Sequence, residues 1–184
     1  MPILAAFAVP HPPLAVPDIG RGKESGIAAT IRSYRIIAER IKALAPETIV
    51  FITPHSHFYS DYIHISPGIR AGGGFAKFGA PKARYELVYD REFIKRLGVL
   101  LNEGALRAGT EGERDDVLDH GVLVPLHFIN EAYSGFKSVR ISVSGLGYDI
   151  HYKVGELIAE ASGETGTVIV ASGDLSHKLT EDGP

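Results

Sequence analysis

A chain of 184 residues with 45% hydrophobic and 22% charged residues has the composition of one folded domain, spanning residues 1–184, and not of a disordered segment. Its 19 basic and 22 acidic residues leave a net charge of −3, which argues against a dedicated nucleic-acid surface, and no apolar run reaches the roughly 18 residues of a membrane span. There is no cysteine, which excludes disulfides, thiolate metal sites, iron–sulfur clusters and cysteine nucleophiles, so a metal has to be held by His, Asp or Glu.

The N-terminus lacks the basic start and cleavage site of a signal peptide, and the expected location is cytoplasmic. Ile3–Val9 is apolar and stops at Pro10, which predicts a short buried strand near the centre of a sheet. The segment from Pro10 to Gly22 is rich in proline, with Gly20 and Gly22, and predicts an ordered loop without helix. From Glu24 to Ala45, Ile27, Ile31, Tyr34, Ile37, Ala38, Ile41 and Leu44 recur at spacings of three and four, an amphipathic helix ended by Pro46. Thr48–Thr53 is a β-rich apolar run, the pattern of a buried strand. Tyr62–Ser66 predicts another short strand, Gly72-Gly73-Gly74 a loop, and Arg84–Tyr89 an edge strand. Asp90 is placed to cap a helix reaching about Leu106, with Phe93, Ile94, Leu97, Leu100 and Leu101 inward. Gly121–Tyr133 predicts a helix with Pro125 in its first turn. Ser138–Ser144 reads as a strand, Tyr148–Ser162 as a helix and Thr167–Ser172 as a further buried strand. Strands and helices alternate, so the expected fold is α/β: a mostly parallel or mixed central sheet with helices on both faces. The last strand leads into a loop with no helix to follow it, and the chain is expected to lack its C-terminal segment. The apolar surface left bare there is expected to be covered by a second copy, making a homo-oligomer.

The eight histidines matter by position. His11 follows the first strand, His55 and His57 the second, and His177 the last. Ligands of open α/β sheets bind beyond the carboxyl ends of the strands, so three strands deliver imidazoles to one rim. In extended chain His55 and His57 point to the same side, and both could face a metal. His64 is expected at the surface or at a contact between copies, while His127 and His151 read as ordinary helix residues. His120 opens a helix, where the positive dipole end favours the neutral ring; Asp119 could orient it or cap the helix. Asp174 is placed to hold His177 in one tautomer. Ser172 and Ser176 permit a Ser-His-Asp hydrolase, but there is no Gly-x-Ser-x-Gly elbow, and the glycine triplet lacks the ending of a P-loop.

Together, His11-Pro12-Pro13, Thr53-Pro54-His55, Asp119-His120-Gly121 and Ser172-Gly173-Asp174-Leu175-Ser176-His177 resemble the class III extradiol ring-cleavage dioxygenases, above all the catalytic B subunit of protocatechuate 4,5-dioxygenase. The opening Ala-Phe-Ala-Val-Pro-His-Pro-Pro, with Ile-Gly-Arg-Gly, resembles the dioxygenase-like domain joined to an AMMECR1-type domain in the AmmeMemoRadiSam system, and the Memo proteins are similar. The resemblance implies a non-haem Fe(II) site, with Zn(II) as a possible substitute, a small catechol-type aromatic substrate and dioxygen as co-substrate. It implies His11 and His55 as metal ligands, with His57 kept as an alternative or extra ligand. His177 would be the acid/base, supported by Asp174, and His120 would stand in the second sphere. The family's third ligand, a glutamate well beyond the Ser-His loop, has no counterpart before Pro184. A different reading is a Memo-like metal-binding protein with a redox or interaction role and no ring cleavage. No nucleic-acid or membrane partner is expected; an AMMECR1-type domain is.

Overall fold

The computed structural model describes residues 3–114 and 116–174. Its centre is a four-stranded parallel sheet of β1 (Ile3–Val9), β2 (Thr48–Thr53), β7 (Lys137–Ser142) and β8 (Thr167–Ser172), in the order β1-β8-β2-β7. All three pairings are parallel, so each strand has to be returned to by a crossover. The crossover from β1 to β2 holds the one-turn helix α1 (Pro17–Gly20) and α2 (Ala28–Leu44). Between β2 and β7 lie β3 (Ile63–His64), the antiparallel pair β4 (Arg70–Phe75) and β5 (Ala80–Val88), α3 (Arg91–Glu103), β6 (Ala108–Gly109) and α4 (His120–Ala132). Helix α5 (Tyr148–Ser162) returns the chain to β8, which inserts between β1 and β2.

Period-two alternation splits the core into two layers. Ile49 and Phe51 of β2 and Val168 and Val170 of β8 pack with Ile31, Tyr34 and Ile41 of α2 and with Val122, Leu123, Leu126 and Ile129 of α4. On the other face, Val50, Val139 and Ile141 meet Phe93, Leu97 and Leu101 of α3 and Val154, Leu157 and Ile158 of α5. The α/β expectation with helices on both faces therefore holds, as do the ranges of β2, α5 and β8.

Several local expectations do not. Among the described residues β1 ends the sheet instead of lying at its centre, and Leu4, Ala6 and Ala8 are exposed. The proline-rich segment forms a 3-10 turn at Pro13–Ala15 and then α1, each with proline in its first turn, where no intrahelical N–H is needed. The glycine triplet is inside β4, not in a loop. A Cβ on Gly73 would lie 2.8 Å from the Leu118 carbonyl and one on Gly74 2.6 Å from that of Ala83, so glycine here marks close backbone approach within a strand. Helix α3 stops at Glu103 because Gly104 caps it. Helix α4 begins at His120, so Pro125 falls in its second turn and removes the rung to the Gly121 carbonyl. His64 is fully buried, not at the surface, because β3 pairs with β6 and its neighbour Ile65 bridges to Ile141 of β7.

Candidate metal centre

Three strand ends and one helix start converge on the rim. The loop after β1 carries His11, which is buried. Its backbone N–H donates to Asp174 Oδ1 at 3.1 Å, and the Gly173 N–H donates to the Val9 carbonyl at 2.9 Å, so the loops after β1 and β8 are stitched together. Behind the loop, Tyr34 of α2 donates its hydroxyl to the Pro10 carbonyl and stacks on Phe128 at 4.4 Å between ring centroids. Burial, with the Asp174 carboxylate nearby, raises the Tyr34 phenol far above its ordinary range, so it stays a neutral donor.

His11 Nδ1 lies 2.6 Å from Ser172 Oγ at the end of β8. With its Nδ1–H given to that oxygen, the ring turns the Nε2 lone pair towards the rim. His55 Nε2 stands 3.0 Å from His11 Nε2. The His120 ring lies 4.0 Å from the His55 ring and 5.2 Å from the His11 ring, centroid to centroid. One nitrogen from each of these three imidazoles falls within 4.8 Å of the others. Burial lowers the His120 pKa first, the positive charges His55 and His11 could carry lower it further, and the carboxylates of Asp119 and Asp174 oppose the shift. Neutral imidazoles are what a metal needs.

The rim is set by backbone as much as by rings. Asp119 caps α4 by accepting from the Val122 N–H at 3.2 Å, and the same oxygen accepts the Thr53 hydroxyl at 2.7 Å. Thr53 Oγ1 in turn accepts the His55 N–H at 3.2 Å. Asp119 thus caps the helix and also joins the loop of His55 to that of His120. Gly121 makes this contact possible: a Cβ there would lie 2.5 Å from Thr53 Oγ1 and 2.9 Å from Asp119 Oδ1. Phe78, at the tip of the β4–β5 hairpin, presents its half-exposed ring 5.6 Å from that of His120. The Arg21 guanidinium pins this tip through the Gly79 carbonyl at 2.9 Å.

Residues 5–184 match the family of the catalytic LigB subunit of aromatic ring-opening dioxygenase. The chain belongs to this family. It is also 36% identical, over 190 aligned residues, to Protein CA_C1420 of Clostridium acetobutylicum, a match that covers 97% of this chain and 40% of that protein. The chain thus spans well under half the length of that relative.

In this family member the structure brings together three of the residues singled out from the sequence, His11, His55 and His120. His120 stands beside the other two, its ring 4.0 Å from that of His55. His57 is not in the group; its ring packs at 5.7 Å against that of His64. The chain turns after Thr53, so the same-side rule for extended residues does not apply to His55 and His57. Asp174 faces His11, with Oδ2 3.7 Å from Nε2. His177 lies outside the described residues. Sequence reading missed Tyr34 and Arg140. A charged residue amid the buried strand Lys137–Ser142 was the available signal for Arg140; Tyr34 was hidden because it fits the apolar stripe of α2. Among the described residues no helix is long and apolar enough to cross a membrane.

Proposed function

We propose that this chain carries a non-haem Fe(II) site of the extradiol type, acting on a small catechol-type aromatic with dioxygen as co-substrate. The observation that carries the reading is the convergence of His11, His55 and His120. Two imidazole nitrogens 3.0 Å apart must share a proton or a cation, since facing lone pairs repel. Donors about 2.1 Å from one ion and at right angles to each other stand about 3.0 Å apart, so the spacing suits a common metal. An all-nitrogen donor set with no thiolate suits Fe(II), and Zn(II) as a substitute.

His11 and His55 would hold the metal, with His120 beside them as a further donor or as a hydrogen-bonding group to what the metal binds. What Fe(II) would supply is neighbouring open positions for the substrate's two oxygens and for dioxygen. The chain's own part is orientation and proton handling. Ser172 fixes the His11 ring, and Asp174 anchors the His11 backbone. Phe78 offers an aromatic face beside His120 for a planar ring to pack on. His177 is the proposed acid/base, taking a proton from a substrate hydroxyl and returning it.

Anaerobic loading with Fe(II), followed by catechols and air, tests the reading. A yellow ring-opened product with both oxygen atoms of dioxygen incorporated is the expected result. Tight metal binding without ring opening would instead favour a Memo-like role in redox chemistry or interaction. His177→Ala should keep its metal and lose turnover by about 10²–10⁴-fold; loss of metal in that variant would make His177 a ligand.

A further inference from the structure

Arg140 lies in the middle of β7 and is fully buried. Its neighbours Val139 and Ile141 face the α3–α5 layer, so the guanidinium points to the opposite face, the one that carries α4. Nε donates to Ser66 Oγ at 2.7 Å and Nη1 to the Val117 carbonyl at 2.8 Å, while Nη1 also lies 3.8 Å from Asp119 Oδ2. A buried charge costs several kcal/mol in desolvation, and an apolar side chain of similar volume would fill such a place with less penalty. Packing alone therefore gives no reason for arginine here.

Its contacts do. Two of them fall on Val117 and Asp119, the residues that lead straight into His120. Asp119 passes the constraint on through its other oxygen, to the α4 N-terminus and, by way of Thr53 Oγ1, to the His55 backbone. The fork of the guanidinium is suited to holding separate acceptors at fixed angles, which an ammonium cannot do. We infer that Arg140 is a positioning residue for the metal centre: it clamps the segment 117–119 so that His120 and His55 stand in register. This rests on the proposed metal site, although Arg140 touches neither metal nor substrate.

The test compares the wild-type chain with R140M, which removes the charge, and R140K, which keeps it without the fork. Co(II) alone serves as the probe, read by its ligand-field spectrum and by titration, beside thermal unfolding of the metal-free proteins. Both variants should bind Co(II) roughly 10–100-fold more weakly, the usual effect of losing an outer support, with altered visible bands, at temperatures where they remain folded. Wild-type affinity and spectrum in a folded R140K, whatever its melting temperature, would overturn the inference and leave Arg140 a merely structural residue. If R140M does not fold, R140K decides, and S66A, which removes only one acceptor of the clamp, should shift the spectrum in the same direction. A wild-type chain that binds no Co(II) would refute the metal site instead. The clamp would then be judged from the imidazole ¹⁵N resonances of the metal-free protein: His120 and His55 should move in R140K more than His11, and equal or absent shifts would overturn it.

Discussion

The carboxyl-end rim and the α3–α5 layer are both well buried and both draw on β2, but they are built by different rules. In the α3–α5 layer, Phe93, Leu97, Val154 and Ile158 meet Val50, Val139 and Ile141 through nondirectional apolar contact, which tolerates exchange of similar shapes. The rim holds His11 on Ser172 and Thr53 on Asp119 by directed hydrogen bonds, with Arg140 paired to Asp119 at 3.8 Å, where each group is useful only with its partner in place. The difference teaches that stability and chemistry are separable in this molecule, although they share a strand.

Substitutions can break that comparison from either side. The largest effect on the site should come from His11→Ala, which removes a proposed ligand and the Ser172 contact; metal titration should show tight binding abolished, and undiminished metal content would remove His11 from the site. In the opposite layer, Phe93→Ala should cost about 3–5 kcal/mol of unfolding free energy in denaturant titration, with metal affinity retained in the folded protein. A parallel loss of affinity would show that the two regions are coupled after all.

Gly121→Ala sits where both rules meet. The added methyl has to displace Thr53 Oγ1 and Asp119 Oδ1, at an expected cost of about 1–3 kcal/mol. It should also weaken Co(II) binding, which an equally destabilising change among the α3–α5 residues should not do.

The smallest effect concerns pH. His127 of α4 hydrogen-bonds the Tyr85 hydroxyl at 2.7 Å through Nδ1, and burial lowers its pKa despite the opposing charges of Glu131 and Asp18. His120 is lowered too. A histidine lowered in the folded state leaves stability intact above its unfolded pKa of about 6.5 and erodes it as pH falls through that value, because the unfolded chain then binds more protons. Metal-free protein should therefore lose stability between pH 7 and pH 5. His127→Gln should flatten part of that slope, and an unchanged slope in unfolding measurements would show that His127 does not contribute.

The sequence by itself determined the alternation of strands and helices, the ranges of β2, α5 and β8, and the family, because each is written in local pattern: apolar runs, periodicity, and short motifs at strand ends. It also placed His11 and His55 at strand ends on one rim, and His120 at the start of a helix. It misjudged β1, the glycine triplet and His64, whose surroundings depend on which strand pairs with which. Only the tertiary structure decided that β8 inserts between β1 and β2 and so brings Ser172 against His11. Only it turned His57 towards His64 and set Arg140 behind Asp119. The His11–Ser172 and Asp119–Arg140 contacts join residues 161 and 21 positions apart in the chain, and no local pattern records a distance across that many residues; it is fixed when the sheet chooses its strand order.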